Sequence, residues 1–164
     1  MTDIATVATD ELRAWLITGC DLADNDHHRA GIDLLDFAGL LDRRAIRAHI
    51  DIDDPDHSDG LEPCAARVDW AALGAETDLG PLGGAQRRLL ALAVSIAGGV
   101  PVDLRDAVSV ELGAAHARAV LAAVVRALGL ADDVQISDTP AYLERKRAHA
   151  EWLAGFEAEA EQRA

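Results

Sequence analysis

The chain has 164 residues with a formal net charge of −14, and half of its residues are hydrophobic. This length and composition suit one domain with a real core and exclude wholesale disorder. The acidic excess argues against direct binding to nucleic acid or anionic lipid, because both are recognised through Lys and Arg.

The sequence indicates a reduced, aqueous environment. The segment Met1–Ala5 lacks the basic and long apolar regions of a secretory signal. The longest apolar run, residues 89–102, is interrupted by glycines and a proline, whereas a membrane span needs about 20 apolar residues. Cys20 and Cys64 form no CxxC motif. We therefore expect a cytoplasmic protein with free thiols and no membrane contact.

Helices are predicted near the beginning of the chain. We expect a frayed end over residues 1–8, followed by a helix that is capped by Thr9 and ended by Gly19. A second helix is predicted over residues 27–38, with its cap among the polar residues Asp24–Asp26.

Residues 40–53 fit two structures. Apolar and polar residues alternate over 46–53, as in a half-buried strand, but the apolar spacing from Leu41 to Ile52 also fits a helix face. We favour a helix to about Ile50, because a single strand has no evident partner. The sequence alone leaves the choice open.

Further helices are predicted after an acidic loop at residues 54–63. They cover residues 67–78 and 85–97, a short segment after Asp103, and residues 113–128. The last of these carries an apolar stripe, which we expect to be buried and which consists of Val120, Leu121, Val124, Val125 and Leu128.

A final helix is predicted to begin at Thr139 and Pro140, a typical N-cap and first helical position. The predicted fold is therefore all-α, with six or seven helices. Residues 1–138 form the core domain, and residues 139–164 form an amphipathic helix that packs on the core or serves as an interface.

Three segments within residues 67–110 resemble parts of uncharacterised helical proteins from GC-rich bacteria. They are Val68–Trp70, Leu89–Gly99 and Pro101–Ala107. The resemblance covers about a quarter of the chain. It implies a helical bacterial protein and transfers no catalytic residue, since those proteins have no assigned activity.

The acidic residues around the predicted loop form a candidate acidic face. Its members are Asp51, Asp53, Asp54 and Asp56. Clustered carboxylates suit Ca²⁺, but Pro55 takes the first position of an EF-hand pattern counted back from Gly60, so that motif fails. The alternative is a solvated surface loop.

Histidines give a second candidate site. His28, His49 and His57 are possible metal ligands together with loop aspartates, and both Asp24/His28 and His49/Asp53 are spaced i, i+4. No complete zinc motif, catalytic motif or cofactor-binding motif occurs in the sequence. Such pairs are also typical of caps and surface ion pairs.

The final helix carries a candidate interface, because aromatic residues are the usual anchors of protein contacts. The interface residues are Tyr142, Trp152, Leu153 and Phe156. We therefore expect a non-catalytic acidic protein that binds a protein partner or itself. The alternatives are a small metal-dependent enzyme or metal-binding domain, and an acidic antagonist of a nucleic-acid-binding protein.

Overall fold

The computed structural model describes residues 3–53, 64–108 and 112–161, with side chains as far as residue 154. The chain divides into two compact units, Met1–Val134 and Gln135–Ala164. The described residues form eight helices and two strands. In chain order these are α1 (Thr9–Ala23), α2 (Asp26–Phe37), α3 (Arg44–Arg47), β1 (Ile50–Asp53), β2 (Ala65–Val68), α4 (Trp70–Ala75), α5 (Gly84–Gly98), α6 (Leu104–Ala107), α7 (Ala114–Ala127) and α8 (Pro140–Glu161).

The fold is mainly helical, but the prediction of an all-α fold was wrong in one region. Strand β1 pairs with β2 in an antiparallel sheet, with Ile50 opposite Val68 and Asp53 opposite Ala65. The sequence predicts a helix over residues 67–78, which would include the end of β2 and leave β1 without a partner strand. The helical segment there is the shorter α4.

The first helix also differs from its prediction. Gly19 does not end α1 but lies buried inside it, and the helix continues to Ala23. The turn that follows places Asp24 in the left-handed region, with φ of 48°. Short polar residues such as Asp tolerate this conformation better than most.

Two caps agree with the sequence. The side chain of Asn25 accepts a hydrogen bond from the His28 N–H at 3.0 Å, at the beginning of α2. The side chain of Asp103 accepts one from the Arg105 N–H at 2.8 Å, at the beginning of α6. Each cap satisfies a donor that a helix N-terminus otherwise leaves unpaired.

The core of the first unit forms around α2 and α5. Helix α2 packs against α5 and α7, and α1 packs against β2. Leu35 and Ala93 are fully buried where these apolar faces meet. The predicted helix over residues 85–97 is confirmed by α5, which buries Leu89, Leu90, Leu92, Ala93 and Val94.

A buried arginine ties the segment before α1 to the rest of the unit. The guanidinium of Arg47 donates to the carbonyl oxygens of Leu41 at 2.7 Å, Ile4 at 3.0 Å and Val7 at 2.7 Å. It also donates to the Thr9 hydroxyl at 2.8 Å, and that hydroxyl in turn donates to Asp42. The expected frayed end is therefore wrong for residues 4–8, which are held by side-chain and core contacts.

Helix α8 belongs to the second unit. The Thr139 hydroxyl accepts a hydrogen bond from the Tyr142 N–H at 3.3 Å, which agrees with its predicted role as the cap. The helix runs through Pro140–Glu161.

Candidate functional site

An exposed apolar surface on α7 is the first candidate. We define the α7 face as Ala114, Ala117, Leu121, Val124 and Leu128, which share one side of the helix at 100° per residue. The exposed fractions are 54% for Leu121, 41% for Val124 and 66% for Leu128. The sequence predicts burial of the whole apolar stripe from Val120 to Leu128. This prediction was wrong for Leu121, Val124 and Leu128.

The adjacent side of α7 explains this outcome. Val120 and Ala123 are buried, and they belong to the side that packs on α2. Helix α7 is therefore apolar on both its buried and its exposed sides, whereas a surface helix normally carries polar residues outward. The sequence stripe was wider than one contact with the core can cover.

Polar and aromatic contacts fix α7 on its neighbour α2. The Arg126 Nε lies 2.9 Å from the Asp33 carboxylate. The rings of Phe37 and His116 meet edge to face, with centroids 5.5 Å apart. These contacts orient the helix and leave its apolar face outward.

The predicted interface residues of α8 lie on an exposed helix. Trp152 is 58% exposed and Leu153 is 44% exposed. The ring of His149 stacks on Trp152 with centroids 5.9 Å apart, and the Arg145 guanidinium lies 6.0 Å from the Tyr142 ring centroid. Polar side chains thus accompany the aromatic ones. The side chain of Phe156 lies outside the described residues.

The candidate acidic face is described only in part. Asp51 and Asp53 lie on β1, where Asp51 is opposite Arg67 of β2. The Arg67 guanidinium lies 2.7 Å from the Asp53 carboxylate, so this arginine neutralises part of the local charge. Asp54 and Asp56 lie outside the described residues.

The candidate metal ligands have separate surroundings. His49 Nε2 lies 3.5 Å from the Glu76 carboxylate, while its proposed partner Asp53 pairs with Arg67. Hydrogen bonds from the Asp78 and Thr77 backbone N–H groups hold the pKa of Glu76 below its ordinary value.

His28 belongs to the cavity described next, and His57 lies outside the described residues. Across residues 3–53, 64–108 and 112–161, no group of three His, Cys, Asp or Glu side chains is placed to hold a metal ion.

A cavity of about 320 Å³ opens beside the small sheet. We call it the Trp70 cavity. Its wall comes from the end of α1, the beginning of α2, strand β2 and the first residue of α4. The lining residues are mostly apolar or small: Gly19, Cys20, Leu22, Ala23, Asn25, His28, Ile32, Ala66, Arg67, Val68 and Trp70.

The titratable groups in this cavity favour their neutral forms. Burial raises the pKa of the Cys20 thiol to about 11. Burial, together with the nearby His27, lowers the pKa of His28 below its ordinary value of 6.5. A protonated thiol is a poor nucleophile and a poor metal ligand, so Cys20 serves here as a small apolar wall residue.

Trp70, the first residue of α4, is one of the residues that line the cavity. It is 4% exposed, and its ring centroid lies 6.1 Å from that of His28. Its indole Nε1 is buried and has no hydrogen-bond partner among the residues that the structure describes. Leaving such a donor unpaired costs about 1–3 kcal/mol. No pattern in the sequence indicates this arrangement, because its residues come from four separate elements.

No protein-family model, curated protein or solved structure matches the sequence. Within the described residues, no helix has both the length and the apolar character needed to cross a membrane.

Proposed function

We propose that this chain is a non-catalytic helical interaction protein and that a second copy of the chain binds to its α7 face. The observation that carries this proposal is the exposure of Leu121, Val124 and Leu128 on a helix whose other side is already buried. Contiguous exposed apolar surface is typical of protein contact sites.

The charge distribution supports a second copy as the occupant. Two chains with a net charge of −14 repel each other across most of their surfaces. Residues 112–131 contain no Asp or Glu. The α7 face is therefore a place where two copies can meet with little repulsion between like charges. A basic partner would instead be attracted to the acidic surfaces.

The spacing on α7 also suits contact between two helices. The residues of the α7 face follow one another at intervals of three or four, which keeps them in line along one side of the helix. In a two-fold dimer the same patch faces itself, so one apolar surface per chain is sufficient.

Sedimentation analysis of the full chain tests this proposal. We expect the wild-type protein to be a dimer at about 100 μM. This requires only that the dissociation constant of the dimer lies below that concentration. Leu121→Glu should be a monomer with an unchanged helical circular-dichroism spectrum, because it places two carboxylates in the contact. Leu104→Glu alters an exposed leucine of α6 outside the α7 face and should remain a dimer. A monomeric wild type, or a dimeric Leu121→Glu variant, would overturn the proposal.

The interface that the sequence predicts on α8 is tested with the same measurement. Trp152→Ala removes its most exposed described aromatic side chain. Under our proposal this variant remains a dimer. If Trp152→Ala is monomeric while Leu121→Glu is dimeric, self-association occurs through α8 and the α7 proposal is wrong.

A further inference from the structure

We propose that a groove along α5 binds a short aliphatic carboxylate, whose hydrocarbon chain lies in the groove and whose carboxylate pairs with Arg87. The groove is formed by α4, one side of α5 and the segment that follows α5, and it has a volume of about 200 Å³. We call it the α5 groove. No residue of α7 lines it, so this site is separate from the α7 face and adds a ligand to the proposed interaction protein.

The walls of the α5 groove are apolar and can be reached from solvent. Val100 is 37% exposed, and Ala91 and Pro101 are also exposed. Leu79 and Val102 are only partly buried. A hydrocarbon chain that covers these side chains removes apolar surface of both partners from water. The walls therefore favour an aliphatic group as the part of the ligand that enters the groove.

Close packing of α4 on α5 forms the floor of the groove. A Cβ atom on Gly74 would lie 2.8 Å from the Val94 Cγ1 atom and 3.2 Å from the Val100 Cγ2 atom. The backbone of α4 therefore lies directly against these two valines. Leu90 and Val94 of α5 are buried beneath the groove. Because the floor is already packed, a ligand loses little affinity to ordering of the protein.

The volume of the groove sets the length of the ligand. An apolar cavity of about 150 Å³ is enough to hold benzene. The α5 groove, at about 200 Å³, is somewhat larger than that. A chain of about six carbon atoms matches this space when its carboxylate lies at the rim.

Arg87 supplies the positive charge at the N-terminal end of α5. It is exposed, and within the described residues its guanidinium has neither an ion-pair partner nor a hydrogen-bond partner. The first turn of this 15-residue helix contains no acidic side chain, so the positive end of the helix dipole adds to the charge of Arg87. Since the chain has a net charge of −14, most of its surface repels an anion, whereas this end of the groove attracts one.

Glu76 is the acidic residue of the groove, and both of its carboxylate oxygens already have partners. The backbone N–H groups of Thr77 and Asp78 each donate to Oε1 at 2.8 Å. His49 Nε2 lies 3.5 Å from Oε2. These contacts hold the Glu76 carboxylate in place, so Arg87 remains available for the carboxylate of the ligand.

Hexanoate is the probe for this site, hexanamide is its uncharged match in size, and acetate lacks the hydrocarbon chain. The readout is the methyl signals of Val100 in a ¹H–¹³C NMR spectrum of the full chain, assigned by their loss in Val100→Ala. We expect hexanoate to shift these signals with a Kd below about 5 mM and hexanamide to bind at least about threefold more weakly, as suits an exposed ion pair. Acetate should leave the signals unmoved. A hexanoate Kd above about 5 mM, hexanamide binding within about threefold of hexanoate, or a shift with acetate would overturn the proposal.

Two substitutions locate the probe. Arg87→Met keeps the apolar stem and removes the charge, so it should raise the Kd of hexanoate at least about threefold and leave hexanamide unchanged. Arg44→Met, at an exposed position of α3 outside the groove, is its control and should leave the Kd of hexanoate unchanged.

Ala91→Phe adds bulk at an exposed position of the groove wall, so the fold should be retained while both probes bind more weakly. Ala71→Phe, at an exposed position of α4 that does not line the groove, should leave both affinities unchanged. Unchanged hexanoate affinity in either Arg87→Met or Ala91→Phe would place the probe elsewhere and contradict the proposal.

Discussion

A Cβ atom on Gly19 would lie 2.2 Å from the carbonyl oxygen of Ala66, so α1 and β2 meet backbone to backbone at this point. Alanine normally favours a helix over glycine by about 1 kcal/mol. Here the clash with a fixed backbone oxygen outweighs that gain. We expect Gly19→Ala to lower the free energy of unfolding by about 1–3 kcal/mol in urea denaturation.

The control for this substitution is Gly84→Ala, at the beginning of α5. A Cβ atom there meets nothing within 4 Å. Gly84→Ala should leave stability equal or slightly raised. If Gly19→Ala is as stable as Gly84→Ala, the close approach of α1 to β2 is not as we describe it.

Arg47 gives a second prediction about stability. Replacing it with methionine keeps the length of the side chain but leaves the carbonyl oxygens of Ile4, Val7 and Leu41 without their donor. We expect Arg47→Met to lower the free energy of unfolding by about 3 kcal/mol or more, because hydrogen bonds to a charged group contribute about 1.5–3 kcal/mol each. Arg44→Met, at an exposed position of the same helix, should change it by less than about 0.5 kcal/mol. Similar losses in both variants would argue against a special role for the buried guanidinium.

The lowered pKa of His28 predicts that the fold loses stability in mild acid. Below its ordinary pKa of 6.5, the histidine of the unfolded chain takes up a proton that the folded chain resists. The unfolded state then binds more protons, so the free energy of unfolding falls as the pH falls through this range. His28→Gln should flatten this part of the profile, measured by urea denaturation between about pH 7.5 and 5.5. His27→Gln should leave it more nearly intact, and identical profiles for the two variants would contradict the assignment.

The two cysteines should differ in reactivity. Cys20 is buried and its pKa is raised to about 11, whereas Cys64 is partly exposed. Because the thiolate is the reactive form, iodoacetamide should label Cys64 first in the native protein at about pH 8. Mass spectrometry of the Cys64→Ser variant should show little labelling until urea unfolds the chain. Rapid labelling of that variant under native conditions would show that Cys20 is accessible.

Helices were predicted correctly where a run of apolar residues or a capping residue can be recognised within one segment. Helix α5 buries leucines on most of its circumference, and α2 carries its own cap at Asn25, so both can be recognised locally. The small sheet could not be recognised in this way. Each of its strands has four residues, and β1 pairs with residues that follow an intervening segment.

The candidate sites show the same limit. Spacing along one helix correctly brought Leu121, Val124 and Leu128 to one side of α7, but it could not say which side the core would cover. Trp70 and His28 are 42 positions apart in the sequence, yet their rings lie near each other in one cavity. No periodic pattern relates them, because their proximity depends on how α2 and α4 pack.

The guanidinium of Arg47 also has a consequence for the order of events during synthesis. The carbonyl groups of Ile4 and Val7 leave the ribosome 43 and 40 residues before the side chain that binds them. The segment before α1 therefore cannot form its hydrogen bonds with Arg47 until α3 has emerged. Its attachment then joins the two ends of this 44-residue stretch through a single side chain.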